Sequence, residues 1–321
     1  MDPLTPRPRL LSLTALAERG VSRRRREYFL RDGALRRIRR GTYIAAADVP
    51  DGIDAQEQQL LLRTRATAPS LHPGTVVSHA SALVLHGLPV FDLDTGVVTT
   101  TRHRPGSGTR RSTSSVQYSA ELTGAVVAVD GIPVTAIARS IVDVARAGRF
   151  TGALCAADAA LARSLCSRSD LQREVAAARG KVGVEIARGV VDFADGRAES
   201  VFESVSRVAI HRLGLPAPIP QVELRLSSGR TVRVDLFWKR WNLIGECDGL
   251  GKYGITGGSS RVRASLAAEK DRQSDLEADG FRLVRWRWPD AQEPARLERL
   301  IRAGIHLQER AGLGSAEDLR T

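Results

Sequence analysis

Three acidic residues and a lysine lie close together between residues 235 and 252. Asp235, Glu246 and Asp248 stand at the ends of two apolar runs, and Lys252 follows four residues after Asp248. Carboxylate oxygens are preferred ligands of Mg²⁺ and Mn²⁺, and a cation held there could polarise a phosphodiester. A lysine nearby would orient water or offset the charge of the transition state. The spacing predicts a metal-dependent phosphodiester-cleaving site, with Mg²⁺ (or Mn²⁺) on Asp235 and Glu246.

Two predicted helices bring further polar residues to this segment. Upstream, Glu199 and Glu203 are four residues apart and share a polar face beside an apolar stripe. We expect Glu203 (or Glu199) to supply a third metal ligand. Downstream, Glu269 and Gln273 lie near the apolar line of a helix over 260–279, and Lys270 is a second candidate for the site's cation.

Apolar runs and turns give the order of the elements that must position these side chains. Strand-like runs occupy 221–226, 231–237 and 242–248, between a helical segment over 198–214 and the helix over 260–279. Gly280 stops that helix, and 281–288 reads as a last strand. The predicted order is helix, three strands, helix, strand.

These residues and this order resemble the PD-(D/E)xK nuclease superfamily, and more closely its Vsr-like endonuclease branch, over residues 197–290. The resemblance implies that Glu203 is the helix acid, Asp235 the strand aspartate and Glu246 the strand glutamate. Asp248 stands where the superfamily usually has lysine, as in the ExDG pattern of the Vsr-like branch. The identity of the catalytic lysine, Lys252 or Lys270, therefore stays open.

A second functional segment is the basic stretch 10–45, where nine arginines lie between Arg23 and Arg40. We expect a first helix that includes Leu10 and Leu11, then a helix capped by Ser22 and closed by Gly33, then a hairpin turning at Gly41. A basic helix followed by a basic hairpin is how a winged helix-turn-helix contacts DNA. The predicted DNA-binding residues are Arg23, Arg24, Arg25, Arg26, Arg36, Arg37, Arg39 and Arg40.

The same stretch, with VVSHASALVLHGLPV and GIPVTAIARSIVDVA further on, resembles AbiEi-type antitoxins over residues 10–165. That resemblance implies a DNA-binding transcriptional regulator and leaves a toxin partner open. In this middle region, residues 102–115 read as a loop and AVVAVDGIPV as a hairpin with an Asp-Gly turn.

Composition agrees with a DNA-binding protein and excludes some classes. The net charge of +12 favours polyanionic partners, although only four of the 48 basic residues are lysines, a bias that genome composition could also produce. The three cysteines form no CxxC pair, which argues against a zinc site or disulfide frame. No apolar run is long enough to cross a membrane, and the first residues lack the apolar core of a secretion signal, so we expect a cytoplasmic protein.

The predicted fold is α+β and multidomain. We expect a winged helix-turn-helix at 1–50, a mixed α/β domain at 51–168, and a helical link with an αβββαβ restriction-endonuclease-like domain at 169–321. The leading hypothesis is a Mg²⁺-dependent DNA endonuclease, with homodimerisation left open. The alternatives are a non-catalytic AbiEi-type regulator with a degenerate nuclease domain, and a module that pairs with a toxin. In a purely structural interpretation, the strand-end acids cap turns or pair with arginines.

Overall fold

The chain forms two compact units, Met1–Ala194 and Asp195–Thr321. The computed structural model describes residues 9–49, 54–104, 106, 108–248 and 259–313, and only the backbone over 259–267. These residues form a mixed α/β structure with three sheets. Within the same ranges, none of the helices combines the length and apolarity that a membrane crossing requires.

A small three-stranded sheet and two helices open the first unit. The elements are β1 (Leu10–Ser12), α1 (Leu13–Glu18), α2 (Arg23–Asp32), β2 (Leu35–Arg39) and β3 (Thr42–Ala45), and the sheet order is β1-β3-β2. Ser22 caps α2 and Gly33 ends it with φ +82°, which confirms the predicted bounds. The expectation that Leu10 and Leu11 begin a helix was wrong, because they pair with Ile44 and Tyr43 across β3.

The rest of the first unit is a six-stranded sheet with helices. The elements are α3 (Ala55–Thr67), β4 (Thr75–Val77), α4 (His79–Leu85), β5 (Val98–His103), β6 (Gly108–Arg111), β7 (Ser115–Ala120), β8 (Val126–Val129), β9 (Ile132–Thr135), α5 (Ile137–Arg146), α6 (Phe150–Ala162), α7 (Arg168–Ala177) and α8 (Val184–Phe193). The strand order is β6-β7-β5-β4-β9-β8. Short 3-10 helices occupy Ala46–Asp48 and Ala68–Ser70.

Two middle-region predictions had different outcomes. The β8–β9 hairpin is confirmed, because Asp130 and Gly131 both have positive φ between the paired strands. The loop over 102–115 was wrong in part, because β6 lies inside it and pairs with β7. Helices α7 and α8, which cover most of the expected helical link, belong to the first unit.

The second unit has the predicted order of helix, three strands, helix and strand. Its elements are α9 (Val201–Arg212), β10 (Ile219–Arg225), β11 (Thr231–Trp238), a 3-10 turn (Lys239–Trp241), β12 (Leu243–Cys247), α10 (Ser259–Ala278), β13 (Arg282–Trp286), α11 (Trp288–Gln292) and α12 (Pro294–Arg310). Strands β10, β11 and β12 are antiparallel, and β13 lies parallel to β12.

Apolar side chains cover this sheet in two clusters. One holds Leu243, Trp286 and Ile301 with the residues of α9 and α12 that pack beside them. The other holds Phe237, Ile244 and Leu276 of α10, with Leu283 packed against it. Because side chains alternate along a strand, the residues that follow Ile244 and Leu283 by two positions also point toward the α10 side.

Candidate active site

The register of the second unit's sheet brings the predicted strand acids together. Leu236 pairs with Gly245 in the antiparallel β11–β12 ladder, so one residue further on Asp235 stands opposite Glu246. In the parallel ladder, Glu246 pairs with Arg285 of β13. On the other side, Gln221 of β10 lies between the pairs Pro220–Leu236 and Val222–Val234, at the level of Asp235. Gln221, Asp235, Glu246 and Arg285 thus form one polar row across four strands.

Glu246 is bound by two arginines. It is 6% exposed, and its Oε1 accepts a hydrogen bond from Nη2 of Arg272 at 2.6 Å while its Oε2 accepts one from Nε of Arg285 at 2.7 Å. Glu269 bridges the same guanidinium groups, accepting from Arg272 at 2.7 and 2.8 Å and also from Arg285. We call Glu246, Glu269, Arg272 and Arg285 the arginine–glutamate cluster. Its formal charges cancel.

Electrostatics stabilise the charged arginines of this cluster. Hydrogen bonds from Arg272 to Glu269 are the main reason that its pKa is raised, with Glu246 adding to the effect. Burial alone would lower the pKa of Arg285, but its hydrogen bond and attraction to Glu246 outweigh that and raise it. Gln273 completes the surroundings, because its Oε1 accepts from Nη1 of Arg285 at 3.1 Å.

The two aspartates of the predicted motif lie within β11 (Asp235) and directly after β12 (Asp248). Oδ2 of Asp235, which is half-buried, accepts the backbone N–H of Cys247 at 2.9 Å. The backbone N–H of Asp248 donates to the carbonyl oxygen of Trp286 at 2.9 Å, which holds Asp248 beside the end of β13. Asp248 therefore lies two residues after Glu246 of the polar row, and its side chain is half-buried.

Of the two lysine candidates, only Lys270 lies within the described residues, and Lys252 lies outside them. Lys270 is exposed on α10, immediately after Glu269. On a helix it points about 100° away from Glu269, whereas Arg272 and Gln273 turn back toward the glutamate. Among the described residues, the cations that contact the acidic row are arginines.

The structure distinguishes the two helix acids. Glu203 is 5% exposed in the first turn of α9, where Ser200 caps the helix by accepting from the N–H of Glu203 at 3.1 Å. The Glu203 carboxylate accepts from Ser200 Oγ at 2.8 Å, from the N–H of Glu199 at 3.1 Å and from Nε2 of Gln221 at 2.8 Å. Glu199 instead forms an exposed ion pair with Arg233. Glu203 is thus the acid connected to the polar row, through Gln221.

The donor atoms are suited to a hard divalent cation held by few protein ligands. Among the described residues, no three acidic, histidine or cysteine side chains form a metal-binding group. Mg²⁺, however, is commonly held by one or two carboxylates together with water and phosphate oxygens. Asp235 and Glu246 provide two adjacent carboxylates, and each Glu246 oxygen accepts one guanidinium N–H of the two arginines, which leaves it a further lone pair. Such a cation would share Glu246 with Arg272 and Arg285.

The arginines of the N-terminal segment fall into two groups. Arg23, Arg24, Arg25, Arg36, Arg37 and Arg40 are exposed on α2 and the β2–β3 hairpin. Arg26 is half-buried, with its guanidinium 5.6 Å from the ring centre of Tyr43. Arg39 donates to the carbonyl of Ala66 at 3.1 Å and to Ser70 Oγ at 3.0 Å, so it anchors the hairpin to α3.

Residue patterns missed Gln221, Arg272 and Arg285. One signal was available for Arg285: it lies two residues after Leu283 on β13 and shares its face, which places a charge on an otherwise apolar face. Arg272 lies three residues after Glu269, a helical spacing that allows an ion pair. Nothing in the sequence indicated the role of Gln221 or its left-handed backbone, with φ +53°.

No family model matches the chain. Two curated proteins are similar to it over most of its length, the uncharacterized protein Rv2248 of Mycobacterium tuberculosis strain ATCC 25618 / H37Rv and the uncharacterized protein MT2308 of strain CDC 1551 / Oshkosh. Each is 30% identical to it over 294 residues, which is 91% of this chain and 100% of the relative.

Proposed function

The chain belongs to the same protein family as these two mycobacterial proteins, and we propose that it is a Mg²⁺-dependent DNA endonuclease acting in the cytoplasm. The observation that carries the proposal is the register that sets Asp235 opposite Glu246, with Glu203 connected to the same row through Gln221. In this proposal the second unit is a Vsr-like domain of restriction-endonuclease type.

The residues of the polar row have distinct roles in the proposed reaction. Asp235 and Glu246 hold the cation, whose chemistry when bound is to polarise the phosphodiester and activate a water molecule. The side-chain amide of Gln221 donates a hydrogen bond to the buried carboxylate of Glu203, and this contact connects Glu203 to the polar row. The backbone N–H of Cys247 orients the Asp235 carboxylate. Asp248 stands at the edge of the same site.

The N-terminal segment supplies DNA binding in this proposal. Helix α2 and the β2–β3 hairpin expose six of the predicted DNA-binding arginines, and arginine is suited to bidentate contacts with phosphate. We therefore assign the segment as a winged helix-turn-helix that brings DNA to the nuclease unit. Homodimerisation is compatible with such a module.

Cleavage assays with matched variants test the endonuclease. We expect plasmid and oligonucleotide cleavage by the wild type in Mg²⁺, and none after chelation. Asp235→Asn and Glu246→Gln should reduce cleavage to the metal-free level, because each keeps a hydrogen-bonding oxygen but loses a charged ligand. Glu223→Gln, an exposed change on neighbouring β10, is the control and should cleave normally. Cleavage that persists in both site variants would exclude the proposal.

A non-catalytic regulator is the second candidate, and the ion pairs of Glu246 favour it. With both oxygens engaged by Arg272 and Arg285, the site would be a structural network in an AbiEi-type DNA-binding protein. This candidate predicts salt-sensitive binding to the protein's own promoter and no heat of Mn²⁺ binding in calorimetry. Mn²⁺ binding that disappears in Asp235→Asn would contradict it. Co-purification of a toxin encoded by a neighbouring gene would further support the regulator candidate.

A further inference from the structure

The arginine–glutamate cluster has unused capacity for an anion. Arg272 uses Nε and Nη2 for its hydrogen bonds to Glu246 and Glu269, and no described residue accepts from its Nη1. Its side chain is 18% exposed, and that of Arg285 is 33% exposed. A guanidinium group has five N–H donors in a planar fork, the arrangement that matches two phosphate oxygens. Both arginines can therefore be reached by an anionic ligand without leaving the acidic row.

Charge balance decides when such an anion would bind. Two carboxylates and two guanidinium groups sum to zero while Glu246 is shared only with the arginines. If Glu246 donates electron density to a divalent cation, its hydrogen bonds to Arg272 and Arg285 weaken, because the same oxygens now serve two positive partners. With the cation and its second ligand Asp235 included, the formal charge of the site becomes +1, and a phosphodiester is the anion that a nuclease would place there.

We propose that Arg272 and Arg285 form the phosphate-binding site of the endonuclease, exchanging Glu246 for a DNA phosphate when Glu246 takes the metal. The inference rests on the proposed function, and it assigns to two arginines the cationic role that the sequence left between Lys252 and Lys270. Metal and DNA binding are then thermodynamically coupled, since each favours the same rearrangement of the cluster.

Two affinities that change in opposite directions are the signature of this exchange. Removing either arginine frees Glu246 from a competing cation, so metal affinity should rise. The same change removes a phosphate contact, so the gain in DNA affinity caused by metal should shrink. A purely structural role for the arginines would weaken both affinities together or leave both unchanged.

The experiment uses the full chain and four single variants. Arg272→Gln and Arg285→Gln test the site, Arg285→Lys keeps the charge but not the fork, and Arg282→Gln removes an exposed charge from the same strand as control. Calorimetry with Mn²⁺ measures metal affinity. Fluorescence anisotropy of a short labelled duplex, with and without Ca²⁺, measures the metal-dependent gain in DNA binding, and a gel confirms that the duplex stays intact. Thermal unfolding confirms that each variant is folded.

For the wild type and Arg282→Gln we expect Ca²⁺ to raise DNA affinity by about tenfold, within the range usual for coupled sites. Arg272→Gln and Arg285→Gln should bind Mn²⁺ several-fold more tightly and lose most of that gain, and Arg285→Lys should be intermediate. If the wild type binds Mn²⁺ and cleaves DNA but the folded glutamine variants do not show these opposite changes, the exchange is refuted and the endonuclease stands. If the wild type binds no Mn²⁺ and Ca²⁺ does not raise its DNA affinity, both are refuted.

Discussion

His79 should make the first unit sensitive to mild acid. It is the first residue of α4, has φ +51° and is 8% exposed. Its ring stacks on Tyr118 with centroids 3.8 Å apart, and its Nδ1 lies 2.9 Å from Ser78 Oγ. Burial, the largest influence, lowers the pKa of His79 from 6.5 to about 4, while Asp143 opposes this change and Arg139 and Arg146 add to it.

The sign and size of the effect follow from proton linkage. Below pH 6.5 the unfolded chain protonates this histidine, whereas the folded chain keeps it neutral until about pH 4. The contribution of this histidine to the free energy of unfolding is therefore fully present above pH 6.5 and is lost as the pH falls from 6.5 toward 4. At about 1.4 kcal/mol for each pH unit, the loss between pH 7.5 and pH 5 is about 2 kcal/mol.

Urea unfolding at these two pH values measures the loss. Far-UV circular dichroism follows the whole chain, whereas tryptophan fluorescence reports only the second unit, because Trp238, Trp241, Trp286 and Trp288 all lie there. The control is His79→Asn, since asparagine tolerates a left-handed backbone and does not titrate. His86, whose pKa burial also lowers, remains in both proteins and cancels in the comparison.

We expect the wild type to lose about 2 kcal/mol more than His79→Asn between pH 7.5 and pH 5, in the circular dichroism transition of the first unit. The tryptophan transition should shift equally in the two proteins. Equal pH dependence of both proteins in both signals would refute the argument that burial keeps His79 neutral.

Two further changes test how local structure supports the proposed sites. Gly245→Ala should destabilise the second unit by about 1–3 kcal/mol, because a Cβ atom there would lie 2.5 Å from the Trp286 ring; an unchanged tryptophan transition in urea would contradict this packing. Ser22→Ala should cost about 1 kcal/mol of helix stability, because Ser22 Oγ accepts the N–H of Arg25 at 3.3 Å. It should also speed amide exchange in α2, and exchange at the wild-type rate would show that the cap contributes nothing.

Local signals in the sequence predicted those parts of the fold that depend on neighbouring residues. The bounds of α2 follow from a serine cap and a glycine stop, and the β8–β9 hairpin follows from Asp130-Gly131. Strand β1 was missed because its three residues are extended only through pairing with β3. A run of leucines at helical spacing contains no sign of that partner, which lies about thirty residues away in the chain.

The candidate site shows the same division between local and distant causes. The residue pattern singled out Asp235, Glu246 and Glu203 because acids in strand-like and helical runs are conspicuous. The choice of Glu203 over Glu199 needed the Ser200 cap and the contact with Gln221. Arg285 comes next to Glu246 only through the parallel β12–β13 ladder, which closes after the chain has crossed over by α10. Register across such a connection is not encoded in any short window.

The burial of Glu246 limits what this site can do. A carboxylate that is 6% exposed is expensive to leave unpaired, so the two arginines together stabilise the folded state whichever function is correct. Any cation that binds Glu246 must therefore offset the weakened ion pairs, and a phosphate on the freed guanidinium groups provides that compensation. Without DNA, the site should bind metal weakly and remain in its neutral, ion-paired form. The endonuclease and the regulator then differ in the metal affinity of Asp235 and Glu246 when DNA is bound, which should be high for the endonuclease and absent for the regulator.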